Sequence, residues 1–207
     1  MLKSNNNYPG VFRFVLLPLV FLFFFLISSA QAKLGEGQMK KVIMLVSQNG
    51  FRDEELFVPR QILEKNGIEV KVSSTTLREV SGVAGGKVKP DILLSDVNPD
   101  DFDAVILVGG GASSQYWDDP VAHKLVREID NKKRIVAAIC IAPVTLARAG
   151  ILKNKQATVW NSEAVEIQKE GADYIAKPVV KDGNIITASG PSAASEFGEE
   201  IVKALIH

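Results

Sequence analysis

Along most of the chain, apolar residues fall in short unbroken runs separated by polar, glycine-containing stretches. Residues 42–46 (VIMLV), 104–108 (AVILV) and 135–139 (IVAAI) are such runs. Their length and turn-like flanks suit strands buried on both faces of a parallel sheet. Residues 68–73 (IEVKVS) alternate and predict a further strand. Between these runs the spacing turns helical. Residues 53–66 (DEELFVPRQILEKN) place apolar side chains at 56, 57, 58, 62 and 63, with Asp53 available to cap and Gly67 to stop the helix. Pro59 removes a hydrogen bond inside it and predicts a kink. Further helices are predicted at 118–132, with Pro120 in the first turn, at 142–148, ended by Gly150, at 162–169 and at 192–206. A short strand is predicted at 157–160, and a hairpin or strand pair at 179–180 and 185–188 around Asp182-Gly183. The polar stretch 75–97, with Gly82, Gly85, Gly86 and Pro90, predicts a small hairpin or short extra strands. Strands alternating with helices predict an α/β fold whose mostly parallel sheet is covered on both faces.

The N-terminus follows a different pattern. Lys3 and Arg13 precede an uncharged run at 14–27 (FVLLPLVFLFFFLI), and Ala30-Gln31-Ala32 offers small-x-small spacing. This predicts a secretory signal peptide over 1–32, a leader over 33–39, and a single domain over 40–207. The protein is then exported, periplasmic or secreted. The alternative is an uncleaved membrane anchor, but a spanning helix needs about 20 apolar residues and Pro18 interrupts this shorter run. A membrane contact is expected only in that case.

Composition narrows the function. With 46% hydrophobic and 23% charged residues over 207 positions, the chain can bury a core and is not a disordered sequence. Lys and Arg number 24 and so do Asp and Glu, so there is no basic excess to neutralise nucleic-acid phosphates. One Cys excludes an internal disulfide, and one Cys with two His argues against a zinc site. No cofactor is expected: GGGASSQ lacks dinucleotide-binding spacing, and no GK[ST] follows it to make a phosphate loop.

Cys140 is the foremost candidate for chemistry. It closes the run IVAAI and opens a helix, at the strand edge where open α/β sheets bind ligands. A nucleophile at such a strand-to-helix turn is presented outward. The helix N-terminus favours a thiolate there and lowers its pKa from about 8.5. The alternative is a buried core cysteine. In Gly109-Gly110-Gly111, bare backbone N–H groups near Cys140 or Ile141 could form an oxyanion hole, although any tight turn uses glycine. Glu55, in the first turn of the first helix, points toward the same sheet edge and could shuttle a proton; acids there also simply favour the helix N-terminus. Histidine, the usual base for a cysteine hydrolase, is scarce. His123 is expected on a solvated helix face, and His207 at a frayed end.

Four segments, GFRDEELFVP, FDAVILVGGG, RIVAAICIAPVTLARAGILKNKQATVW and NIITASGPSAASEFGEEIVKAL, resemble the ThiJ/PfpI superfamily over roughly residues 40–206. That group has a class I glutamine amidotransferase-like fold. It includes intracellular-protease-like proteins, the parkinsonism-associated deglycase and glyoxalase III-type enzymes. The resemblance implies a flavodoxin-like three-layer α/β sandwich and a homodimer. It implies Cys140 as nucleophile at a strained elbow and Glu55 as its partner, protonated and donating to the thiolate. It implies Gly110 and Ile141 as backbone donors to an oxyanion. The chain departs from the protease-like pattern, which has His directly after Cys, because Ile141 stands there; Trp160 stands roughly where the deglycase-like branch has another His. The implied function is action on a small-molecule carbonyl substrate, with Cys140 in an open hollow. A redox sensor or protective protein without turnover, a cysteine peptidase or amidase weakened by Ile141, and a non-catalytic binding domain are the alternatives.

Overall fold

The computed structural model describes residues 39–207. The signal peptide read over 1–32, and all but the last residue of the leader, lie outside the described residues. Among those described, no helix is long and apolar enough to cross a membrane.

The apolar runs form the centre of the sheet. Strands β1 (Lys41–Leu45), β3 (Glu69–Ser74), β6 (Ile92–Leu93), β7 (Ala104–Leu107), β8 (Ile135–Ile139), β11 (Val179–Asp182) and β12 (Ile185–Ala188) lie in the order β11-β12-β8-β7-β1-β3-β6. Every neighbouring pair is parallel except the β11–β12 hairpin. Register pairs Val42 with Ala104 and Val105 with Val136. Because side chains alternate across a strand, Val42, Met44, Ile106 and Ile139 face one layer, while Ile43, Leu45, Val105 and Val136 face the other. Helices α1 (Asp53–Lys65) and α5 (Ala194–Ile206) cover the first face through Leu56, Leu63, Phe197 and Ile201. Helices α2 (Pro120–Asn131), α3 (Pro143–Arg148) and α4 (Ala164–Lys169) cover the second through Ile129, Leu146 and Ile167. The result is the expected three-layer sandwich.

Several local expectations are corrected. Asp53 does not cap α1; its carboxylate instead accepts the N–H groups of Ala84 (2.7 Å) and Gly86 (2.6 Å), in the loop between β4 (Val80–Gly82) and β5 (Lys87–Val88). Helix α2 begins at Pro120 because Asp119 Oδ1 accepts from the N–H groups of Val121 and Ala122. The short strand near 157–160 is β9 (Gln156–Ala157), paired with β10 (Asp173–Tyr174). β2 (Asn49–Phe51) extends the small sheet of β4 and β5.

The connectivity places a crevice. From β1 the chain moves to β3 on one side, then returns to β7 on the other. The carboxyl ends of β1 and β7 therefore flank a topological switch point, where open α/β sheets hold ligands. The segments leading from these ends carry Glu55 and Gly109-Gly110, and Cys140 follows the adjacent β8.

Candidate active site

Cys140 sits between β8 and α3 with φ +64°. An L-residue in this region costs about 1–2 kcal/mol, and hydrogen bonds on both sides hold it there. Its N–H donates to the Ala188 carbonyl at 2.9 Å, and its own carbonyl accepts from Trp160 N–H at 2.8 Å. The elbow expected from the sequence is thus pinned by β12 and by the segment after β9.

Glu55 reaches the same point from α1 and is completely buried. Gly109 is the spacer between them. A Cβ there would fall 2.5 Å from Cys140 Cβ and 2.7 Å from the Ile139 carbonyl oxygen, and would overlap Glu55 Oε2. Only glycine lets the carboxyl approach the cysteine. Gly110 has φ +100°, and a Cβ there would fall 2.5 Å from the Gly50 carbonyl oxygen. The N–H groups of Gly110 and Ile141 are directed at the sulfur. The sequence offered the glycine run and Gly110 as a donor, but not that Gly109 is a spacer.

Two expectations fail here. The sulfur is not in an open hollow: Cys140 is only 9% exposed. Nor is its pKa depressed. Burial, and next the negative charge of Glu55, push the thiol up to about 12, outweighing the Gly110 and Ile141 N–H groups. Burial also pushes Glu55 up to about 7, against the lowering influence of Cys140, the Arg52 charge and Gly109 N–H. The two acids share one environment and titrate as a pair. The Cys140 thiol and the Gly109 N–H are the groups that face the Glu55 carboxyl, and a buried carboxylate with so few donors is costly. The sulfur has two backbone N–H groups facing it. Between about pH 7 and 12 the pair carries one negative charge.

The raised carboxyl pKa has a stability consequence. Glu55 ordinarily ionises near 4.5 but near 7 when folded. The folded state then holds more protons than the unfolded chain between these values. Its contribution is complete below about pH 4.5 and is lost as pH rises through about 7, a fall on the order of 3 kcal/mol. Urea midpoints measured from pH 4.5 to 8 are expected to show this decline, and Glu55→Gln to flatten it; an unchanged slope in that variant contradicts the assignment.

A second layer braces the elbow. Trp117 Nε1–H donates to the Ile141 carbonyl at 3.2 Å. The Arg148 guanidinium lies 5.1 Å from the Trp117 ring centroid and pairs with Asp118 (2.7 Å) and Glu166 (3.2 Å). His123 is half-buried, not on a solvated face, and its Nε2 lies 2.7 Å from the Trp117 carbonyl oxygen. Its ring therefore donates to that carbonyl rather than serving the thiol. His207 is exposed at the end of α5, with its N–H bonded to the Lys203 carbonyl. Trp117 and Arg148 were not singled out from the sequence, because a 3₁₀ turn at Gly111–Tyr116 and helix α3 bring them together only in three dimensions. Among the described residues, no group of three or more His, Cys, Asp or Glu could hold a metal ion.

Residues 40–204 match the model of the DJ-1/PfpI family. The chain belongs to that family. It is 48% identical over 168 residues to an uncharacterised protein of Methanocaldococcus jannaschii, covering 80% of this chain and 82% of that one. It is 33% identical over 163 residues to a Pyrococcus furiosus protein named deglycase PfpI, covering 79% and 98%. A ThiJ/PfpI domain protein from Brachyspira murdochii superposes with a TM-score of 0.80 at 33% identity, covering 82% of this chain and 98% of that one. The likeness to a DJ-1/PfpI domain thus extends from the sequence motifs to the flavodoxin-like sheet. Relatives named deglycase point to enzymatic activity within the family.

Proposed function

We propose that this DJ-1/PfpI protein is an enzyme acting on small reactive carbonyl compounds, with Cys140 as nucleophile and Glu55 as proton carrier. The observation that carries the reading is the pairing of Glu55 with Cys140. The carboxyl is fully buried and meets across Gly109 a cysteine held at a strained elbow. Deglycase-named relatives at about a third identity support it.

The chemistry follows from the paired acids. The thiolate lone pair forms a C–S bond to the aldehyde carbon of an α-oxoaldehyde. The carbonyl π pair moves to oxygen, beside the N–H groups of Gly110 and Ile141, and Glu55 gives that oxygen its proton. The product is a neutral hemithioacetal next to a Glu55 carboxylate. This carboxylate removes the proton on the former aldehyde carbon to leave an enediolate, the hydroxyl proton passes from that carbon's oxygen to the neighbouring oxygen, and Glu55 returns its proton to the neighbouring carbon, giving a 2-hydroxy thioester. Water hydrolyses the thioester, releasing the 2-hydroxy acid and the thiol. The oxidation of one carbon balances the reduction of its neighbour, so the sequence consumes only water and calls for no cofactor. An imidazole is not required, in keeping with Ile141 after the cysteine and His123 engaged by Trp117. A peptidase, which must protonate an amine leaving group, is favoured less by this arrangement.

The test is lactate formation from methylglyoxal by the full chain, without added thiol. Lactate accumulating in step with methylglyoxal loss is expected. Loss of methylglyoxal into protein adducts, with no lactate above the buffer reaction, overturns the reading.

A further inference from the structure

Beside the elbow, on the Trp160 side, the surface holds a cleft of about 350 Å³ with a mostly apolar lining. That volume suits a small organic ligand. Trp160, Tyr174 and Pro178 supply its walls, with Asn161, Lys177 and Ser189 among the polar groups. Trp160 is fixed relative to the nucleophile, since its N–H bonds the Cys140 carbonyl at 2.8 Å. Its side chain is nonetheless open, with 47% of the residue exposed. The indole rests against Gly190, which has φ +153°; a Cβ there would fall 2.7 and 2.8 Å from ring carbons Cε3 and Cζ3. Bare backbone therefore supports the ring from one side. Tyr174 is steadied by its hydroxyl, 3.4 Å from Asn161 Oδ1. Lys177 is exposed and forms no ion pair among the described residues. A supported indole, a second aromatic wall and an unpaired cation suit a flat ring that carries a negative charge.

We propose that this cleft binds an aromatic group bearing a carboxylate, with the ring on Trp160 and the anion toward Lys177. Resting on the carbonyl reading above, the cleft receives the part of the substrate that extends from the carbon attacked by Cys140. The preferred substrates are then aromatic α-oxo compounds with an anionic substituent, and methylglyoxal is a minimal one.

The experiment is calorimetric titration of the full chain with 3-phenylpropionate, which has no carbonyl for the thiol to attack, against propionate and 3-phenylpropanol. 3-Phenylpropionate is expected to bind saturably and to quench indole fluorescence. Trp160→Ala is expected to weaken it by about tenfold or more, as loss of an aromatic stacking partner does. Lys177→Met is expected to weaken it by up to about fivefold, as loss of an exposed ion pair does, and to leave 3-phenylpropanol unaffected. Absence of saturable binding, or binding indifferent to Trp160→Ala, overturns the proposal. The two readings fail separately. Trp160-dependent binding with no lactate from methylglyoxal removes the carbonyl activity and leaves the cleft as a ligand site. Lactate formation with no binding of 3-phenylpropionate removes the cleft alone. Where turnover occurs, Trp160→Ala should raise KM for phenylglyoxal relative to methylglyoxal and spare kcat.

Discussion

Cys140→Ala is expected to reduce kcat/KM for methylglyoxal by at least about 10³-fold, since a covalent route loses the atom that forms the bond. The fold should survive. Alanine retains the backbone bonds to Ala188 and Trp160 and removes only a sulfur from a mostly apolar setting. The strain at φ +64° remains in the variant, so its melting temperature should change little while activity disappears. Coupled lactate assays and thermal unfolding on the same samples check both halves. Turnover within tenfold of wild type would remove Cys140 from the mechanism.

The second large effect concerns Glu55. If the pair's single negative charge resides on sulfur, alkylation of Cys140 by iodoacetamide should rise through about pH 7 and then level off. The next proton leaves only near 12. If the charge resides on Glu55, the logarithm of the rate should climb steadily from pH 6 to 10 with no plateau. If the charge is on sulfur, Glu55→Leu deletes its donor and alkylation at pH 8 should fall by about tenfold or more, equivalent to a shift of at least one pKa unit; if it is on Glu55, the variant removes a neighbouring negative charge and alkylation should rise. Glu55→Gln keeps a donor and carries no charge, so its rate should exceed that of Glu55→Leu and show no inflection near 7. Rates measured by mass spectrometry of the Cys140 peptide separate these cases. A Glu55→Leu protein as reactive as wild type rejects the proton-carrier role.

The central sheet was legible because β7 and β8 are uninterrupted apolar runs, short and flanked by turn residues, as strands buried on both faces are. Cys140 was legible as the residue joining such a run to a helix, and Glu55 as an acid in a first helical turn. What escaped was set by distant contacts. Asp53 looked like a cap, yet the Ala84 and Gly86 N–H groups, 31 and 33 residues away, claim its carboxylate. β2 and β10 span three and two residues, too few for any periodicity to register. The direction of the Cys140 pKa was misjudged because local sequence displays the helix N-terminus but not the depth of burial. His123 falls on the helix its spacing predicts, but only the packed Trp117 carbonyl determines what its ring does.

The grip of Asp53 on the 84–86 loop gives that loop leverage over the chemistry. Glu55 is two residues further along the same helical turn, so on the reading proposed above a displaced hairpin is expected to move the carboxyl relative to the sulfur. Exchanging residues in the hairpin tip is therefore a way to tune thiol reactivity by degrees, from outside the crevice and without altering either reacting group.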